Sequence, residues 1–119
     1  MKTTILCIFM TISLMSCDVG DSMREASKQN PKSHARMLAA DNGCLSCHAV
    51  GITVVGPAWK MVAKHYKNQA GAKEFLIMKI KKGGKGNWDK VTGGKSMPAH
   101  EGRLSDEDIA RLVDYILSL

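Results

Sequence analysis

Five consecutive residues, Cys44-Leu45-Ser46-Cys47-His48, carry the most specific chemical pattern in this chain. The pattern C-x-x-C-H is that of c-type haem attachment. Two thiols can add across the two vinyl groups of a haem, and the two-residue gap lets both reach the same porphyrin edge. His48 then falls beneath the ring, where one imidazole nitrogen can ligate iron while the other gives its N–H to a backbone carbonyl. Two other readings compete. A thioredoxin-like dithiol also uses C-x-x-C, but it belongs beside a βαβ pattern that is missing here. A structural zinc site needs four ligands, usually with a second Cys or His pair, whereas His34, His65 and His100 are scattered singly.

The other two of the four cysteines lie near the N-terminus. Cys7 sits inside the apolar run Ile5 to Met15, which follows Lys2. That run is too short for a comfortable membrane span of about 20 residues and reads as an export signal. Leu14-Met15-Ser16-Cys17 resembles a bacterial lipoprotein signal, although Met15 is not the commonest residue at its position. The expectation is a leader over residues 1–16, with Cys17 acylated as the new N-terminus and tethering the protein to a membrane; the alternative is ordinary cleavage with a free Cys17. Export would take Cys44 and Cys47 to an oxidising compartment. It agrees with haem attachment, which takes place outside the cytoplasm.

These residues need elements to position them. Residues 17–30 are polar, with little to bury, and read as a flexible tether. The folded domain is expected over 31–119. Asn30 can cap and Pro31 suits the first helical position, so a short helix should run through Met37, Leu38 and Ala39 and stop at Gly43, just before Cys44. A second helix should start at Pro57, with Trp59, Val62, Ala63 and Tyr66 on one face. A third, Ala72 to Lys82, carries Phe75, Leu76 and Ile80 inward and ends at Gly83-Gly84. Gly83 to Gly102 lacks periodicity and reads as a long functional loop. In the last helix Ser105 and Asp108 form a capping box, and Ile109, Leu112, Val113, Ile116 and Leu117 make one apolar stripe. No stretch alternates long enough for a sheet. The fold class is all-α, with about four short helices.

A chain of 119 residues is one domain with a thin core. Only 5% of it is aromatic while Met occurs 8 times, which suits packing around a flat, irregular guest. Formal charge is +6 and unevenly spread. Lys60, Lys64, Lys67, Lys73, Lys79, Lys81, Lys82, Lys85, Lys90 and Lys95 meet only Glu74 and Asp89, while Glu101 to Leu119 is net acidic. Such a dipole would orient the molecule toward an acidic partner; the plain alternative is solubility. Export and the lack of a recognised motif argue against nucleic acid as a partner.

From Asp41 to Leu119 the chain resembles the short class I c-type cytochromes of bacteria. The stretches that carry the resemblance are Gly43-Cys44-Leu45-Ser46-Cys47-His48-Ala49, Val55-Gly56-Pro57-Ala58-Trp59, Val62-Ala63, Gln69-Ala70-Gly71-Ala72, Gly86-Asn87-Trp88 and Met97-Pro98. The resemblance implies helices wrapped around one covalently bound haem c, with Met97 as the second axial ligand to iron. It implies that Pro57 offers its carbonyl to the N–H of His48, that Trp88 and Lys79 contact a haem propionate, and that Trp59, Tyr66 and Leu76 wall the pocket. Both axial positions would then be filled, leaving an electron carrier and not an enzyme. The alternatives are a haem peroxidase or gas-sensing domain in which Met97 is displaced, and a haem-free thiol oxidoreductase. Implied partners are a quinol-oxidising complex, a periplasmic reductase or a terminal oxidase, met by a periplasmic monomer. The chain departs from the family pattern at Asp89, at Lys90 to Lys95, which lengthen the loop before Met97, and at His100, which is expected to face solvent, the alternative being competition with Met97 for iron.

Overall fold

The computed structural model describes residues 19–119; the expected leader and Cys17 lie outside the described residues. Six α-helices follow one another: α1 Val19–Gln29, α2 Pro31–Asp41, α3 Trp59–Tyr66, α4 Ala72–Lys82, α5 Asp89–Thr92 and α6 Asp106–Leu117. A single 3₁₀ turn covers Cys44–Ser46. No strand occurs among the described residues, only isolated bridges.

The α6 helix is the hub, because it packs against α2, α3 and α4. Its start is capped as its sequence dictates, with the Ser105 hydroxyl accepting from the Asp108 N–H at 3.1 Å. Ile109, Leu112 and Val113 are fully enclosed, and burial of side chains of this size contributes about 1.5–3 kcal/mol each. Ala35 and Ala39 let α2 lie close against the same core. The Asn30 side chain accepts from the N–H groups of Lys32 and Ser33, which fixes the start of α2. Trp59, Val62, Ala63 and Tyr66 of α3 are buried as their spacing requires, while Met61 on the other face is exposed, and the helix starts two residues after Pro57.

Three features differ from the sequence expectation. Residues 19–29, part of the segment expected to be a flexible tether, form α1 alongside α2. Its described side chains are exposed; Lys28 pairs with Glu25 within the helix at 2.5 Å, and Arg24 reaches Asp41 at the end of α2 at 2.9 Å. Composition reveals a lack of burial, not a lack of helix. The long loop contains the extra turn α5. Lys73 pairs with Asp114 and Lys81 with Asp106, each at 2.7 Å, so acids of α6 neutralise part of the lysine excess on α4.

Candidate haem site

Gly43 adopts a left-handed conformation, φ 73°, and turns the chain from α2 into the Cys44–Ser46 turn. The segment after the motif folds back on it: Val55 and Gly56 both donate to the Cys47 carbonyl, at 3.2 and 2.7 Å. No side chain caps α3. Trp59 and Lys60 instead donate their N–H groups to the carbonyls of Ala49 and Val50, each at 3.0 Å. These bonds tie the loop to α3 and bring the Pro57 carbonyl to 2.9 Å from His48 Nδ1. Nδ1 therefore donates, and Nε2 is left for a metal. Gly56 makes this possible, because a β-carbon there would stand only 2.8 Å from His48 Nδ1 and 2.9 Å from Nε2. The Trp59 indole stacks on the imidazole at 6.1 Å and is met edge-on by Tyr115.

A cavity of about 300 Å³ opens in front of this segment. Cys44, Cys47, His48 and Met97 all line it, so one contiguous motif and a side chain about fifty residues away share one space. Cys44 and Cys47 are half-buried and are not joined to each other. Burial raises the Cys44 thiol above its ordinary value, with a backbone hydrogen bond and Arg103 pulling the other way. Trp59, Tyr66 and Leu76 wall the cavity as the resemblance implied, joined by Phe75 from α4. Phe75 is 47% exposed, so it is not a core residue but a rim residue whose ring leans on Tyr66. Trp88 also lines the cavity, half-buried with its ring against His65. Asn87 donates to the Tyr66 hydroxyl at 3.3 Å and holds the Trp88 loop to α3.

Met97 arrives through backbone pairing. Gly84 donates to the Met97 carbonyl at 2.8 Å, and Met97 donates to the Gly84 carbonyl at 3.1 Å. Gly83, at φ 63°, lies under the same segment, where a β-carbon would stand 2.6 Å from the Pro98 carbonyl carbon.

Lys79, for which the resemblance implied a propionate contact, reaches the cavity edge, and its ammonium donates to the carbonyls of Gly83, Gly84 and Lys85 at 3.1, 2.8 and 2.5 Å. His100 differs from its expected placement: it is 6% exposed, not solvent-facing, and lines the cavity. Its backbone N–H is held by the Ile80 and Lys81 carbonyls, which turn the residue inward off the end of α4. Burial first, then the charges of Arg103 and His48, hold its pKa below the ordinary imidazole value. The Nδ1 atom of His100 is buried without a partner. Sequence carried no signal for this inward turn, since a lone His in a Gly-rich loop has no periodicity to place it.

An apolar cavity with two thiols, an oriented imidazole, a thioether and one orphaned polar atom fits a haem. Among the described residues no group of three or more His, Cys, Asp or Glu could hold a bare metal ion, which removes the zinc reading for that part of the chain.

Comparison with known proteins agrees with the geometry. The family model for cytochrome c matches residues 34–119. This chain belongs to the cytochrome c family. The cytochrome is 46% identical over 83 residues to cytochrome c2 of Rhodocyclus tenuis, covering 69% of the chain and 88% of that protein. It is 35% identical over 82 residues to cytochrome c-551 of Pseudomonas aeruginosa, covering 69% of the chain and 73% of that protein. The crystal structure of cytochrome c552 from Nitrosomonas europaea superposes with a TM-score of 0.63 at 40% identity, covering 71% of the chain and 98% of the other. The cytochrome is thus a small bacterial class I type that holds haem c covalently and carries single electrons rather than catalysing a conversion.

Proposed function

We propose that this cytochrome carries electrons between respiratory proteins with its iron held by His48 and Met97. The observation that supports the reading is that His48, oriented by the Pro57 carbonyl, and Met97 line one cavity with both thiols. Haem c supplies a one-electron iron couple when bound. The residues set its terms. Cys44 and Cys47 anchor the porphyrin edge, His48 offers Nε2, and the neutral, soft Met97 sulfur favours the ferrous state and raises the potential. Trp59, Tyr66 and Leu76 exclude water, and Trp88 is the residue proposed to meet a propionate. With both axial positions filled, carbon monoxide should not bind the native ferrous protein at neutral pH. Ready binding would favour the gas-binding or peroxidase reading.

Its partners on this reading are a quinol-oxidising complex and a periplasmic reductase or terminal oxidase. Lys60 and Lys64 of α3 and Lys67 just after it are exposed and would favour acidic docking faces. An electron-transfer rate to an acidic redox protein that ignores ionic strength would refute that. The mature protein is proposed to be a periplasmic monomer: residues 1–16 are removed, a lipid on Cys17 holds it at a membrane, and residues 17–30 link that anchor to the domain over 31–119. Mass spectrometry of the native N-terminus reads this directly.

A further inference from the structure

The resemblance implies a propionate contact for Lys79, and its ammonium also makes hydrogen bonds within the protein. An ammonium has three N–H donors, and Lys79 Nζ has three backbone acceptors, the consecutive carbonyls of Gly83, Gly84 and Lys85. The turn is shaped to wrap the ammonium. Gly83 and Gly84 both take positive φ, 63° and 85°. A β-carbon on Gly86 would press on Lys79 Cε and Nζ at 3.3 Å. The site also lies at the C-terminal end of α4, where a cation is favoured by the helix dipole. The middle carbonyl of the three, that of Gly84, is also the one that accepts from the Met97 N–H.

We propose that Lys79 is a positioning residue for the axial thioether: by clamping the Gly83–Lys85 turn it fixes Gly84, and Gly84 fixes the Met97 backbone through their paired hydrogen bonds. This rests on the reading that Met97 ligates iron. The lysine does not touch the iron. It sets how often the loop opens and lets the sulfur leave. Three charge-assisted bonds are the strong class of hydrogen bond, and they hold the turn that carries the reciprocal Gly84–Met97 pair.

The test uses ferric holoprotein and imidazole as the competing ligand. Lys79→Met keeps the aliphatic stem and removes every donor; Lys79→Gln keeps two donors and is the milder change. Lys82→Met, on an exposed side chain one turn along, is the control. Imidazole should displace the sulfur about tenfold faster in Lys79→Met, equivalent to about 1.4 kcal/mol, by a smaller factor in Lys79→Gln, and at the native rate in Lys82→Met. Amide exchange at Gly84 and Met97 should quicken in both Lys79 variants. Native displacement and exchange rates in Lys79→Gln would overturn the proposal even where Lys79→Met fails to mature. So would a change confined to the pH dependence of the reduction potential, the signature of a propionate partner. If the native protein shows no sulfur-to-iron band, the Met97 reading fails by itself, and the exchange rates still decide whether Lys79 clamps the turn.

Discussion

The two sides of the haem cavity are built on opposite plans. On the His48 side everything lies within residues 43–60: the thiols, the imidazole, the carbonyl that orients it and the glycine that makes room. On the Met97 side the ligand segment borrows its position from the distant end of α4, through Gly84, Gly83 and Lys79. A ligand fixed by its immediate neighbours in sequence is hard to dislodge without unfolding the segment. A ligand fixed by a loop pairing can be released by local opening at a fraction of the global stability. The exchangeable side of the iron should therefore be the methionine side.

The comparison can be broken first at the thiols. Replacing both Cys44 and Cys47 by Ala should abolish covalent attachment, so that acid–acetone extraction removes all haem. The matched glycines sharpen it next. Gly56→Ala should force the His48 imidazole out of place and cost about 1–3 kcal/mol, the range for overpacking, read by denaturant unfolding of the holoprotein. Gly83→Ala adds a β-carbon against Pro98 and Ala99 at a positive φ. It should bleach the sulfur-to-iron band while leaving the covalent haem in place. Equal loss of attachment in both would erase the distinction between the two sides.

His100 gives a smaller effect with a definite sign. Its folded-state pKa is depressed by burial, then by Arg103 and His48. The unfolded chain, with a pKa of about 6.5, binds a proton that the folded chain refuses. Stability contributed by the neutral ring is present above about pH 6.5 and is lost as pH falls below it. Replacing His100 by Gln should flatten that acid limb of the stability curve and leave the alkaline side unchanged. The smallest effect belongs to neither side: Ser105→Ala should lower stability by about 1 kcal/mol without altering the visible spectrum.

The same division explains how much could be read from the sequence. The attachment motif, the Asn30 and Ser105 caps and the faces of α3 and α6 are local or periodic patterns, and they survive intact in the structure. The Pro57 carbonyl, Met97 as a cavity residue and the Trp59–Tyr66–Leu76 wall came through family resemblance. The α1 helix escaped notice because its described side chains are exposed. The carbonyl contacts of Lys79 and the inward turn of His100 escaped because each is set by carbonyl groups, which every residue possesses and no sequence displays. Tyr115 was missed although it falls beside the stripe of α6, since its partner Trp59 lies over fifty residues away.

The account stands on sulfur and nitrogen flanking one iron. Optical spectra of the oxidised and reduced holoprotein, native and Met97→Ala, test this most directly. The weak charge-transfer band at the far red end should appear in the native oxidised protein and vanish in the variant, which keeps its covalent haem. A native spectrum without that band, or a variant that retains it, would contradict the assignment of Met97 to the iron.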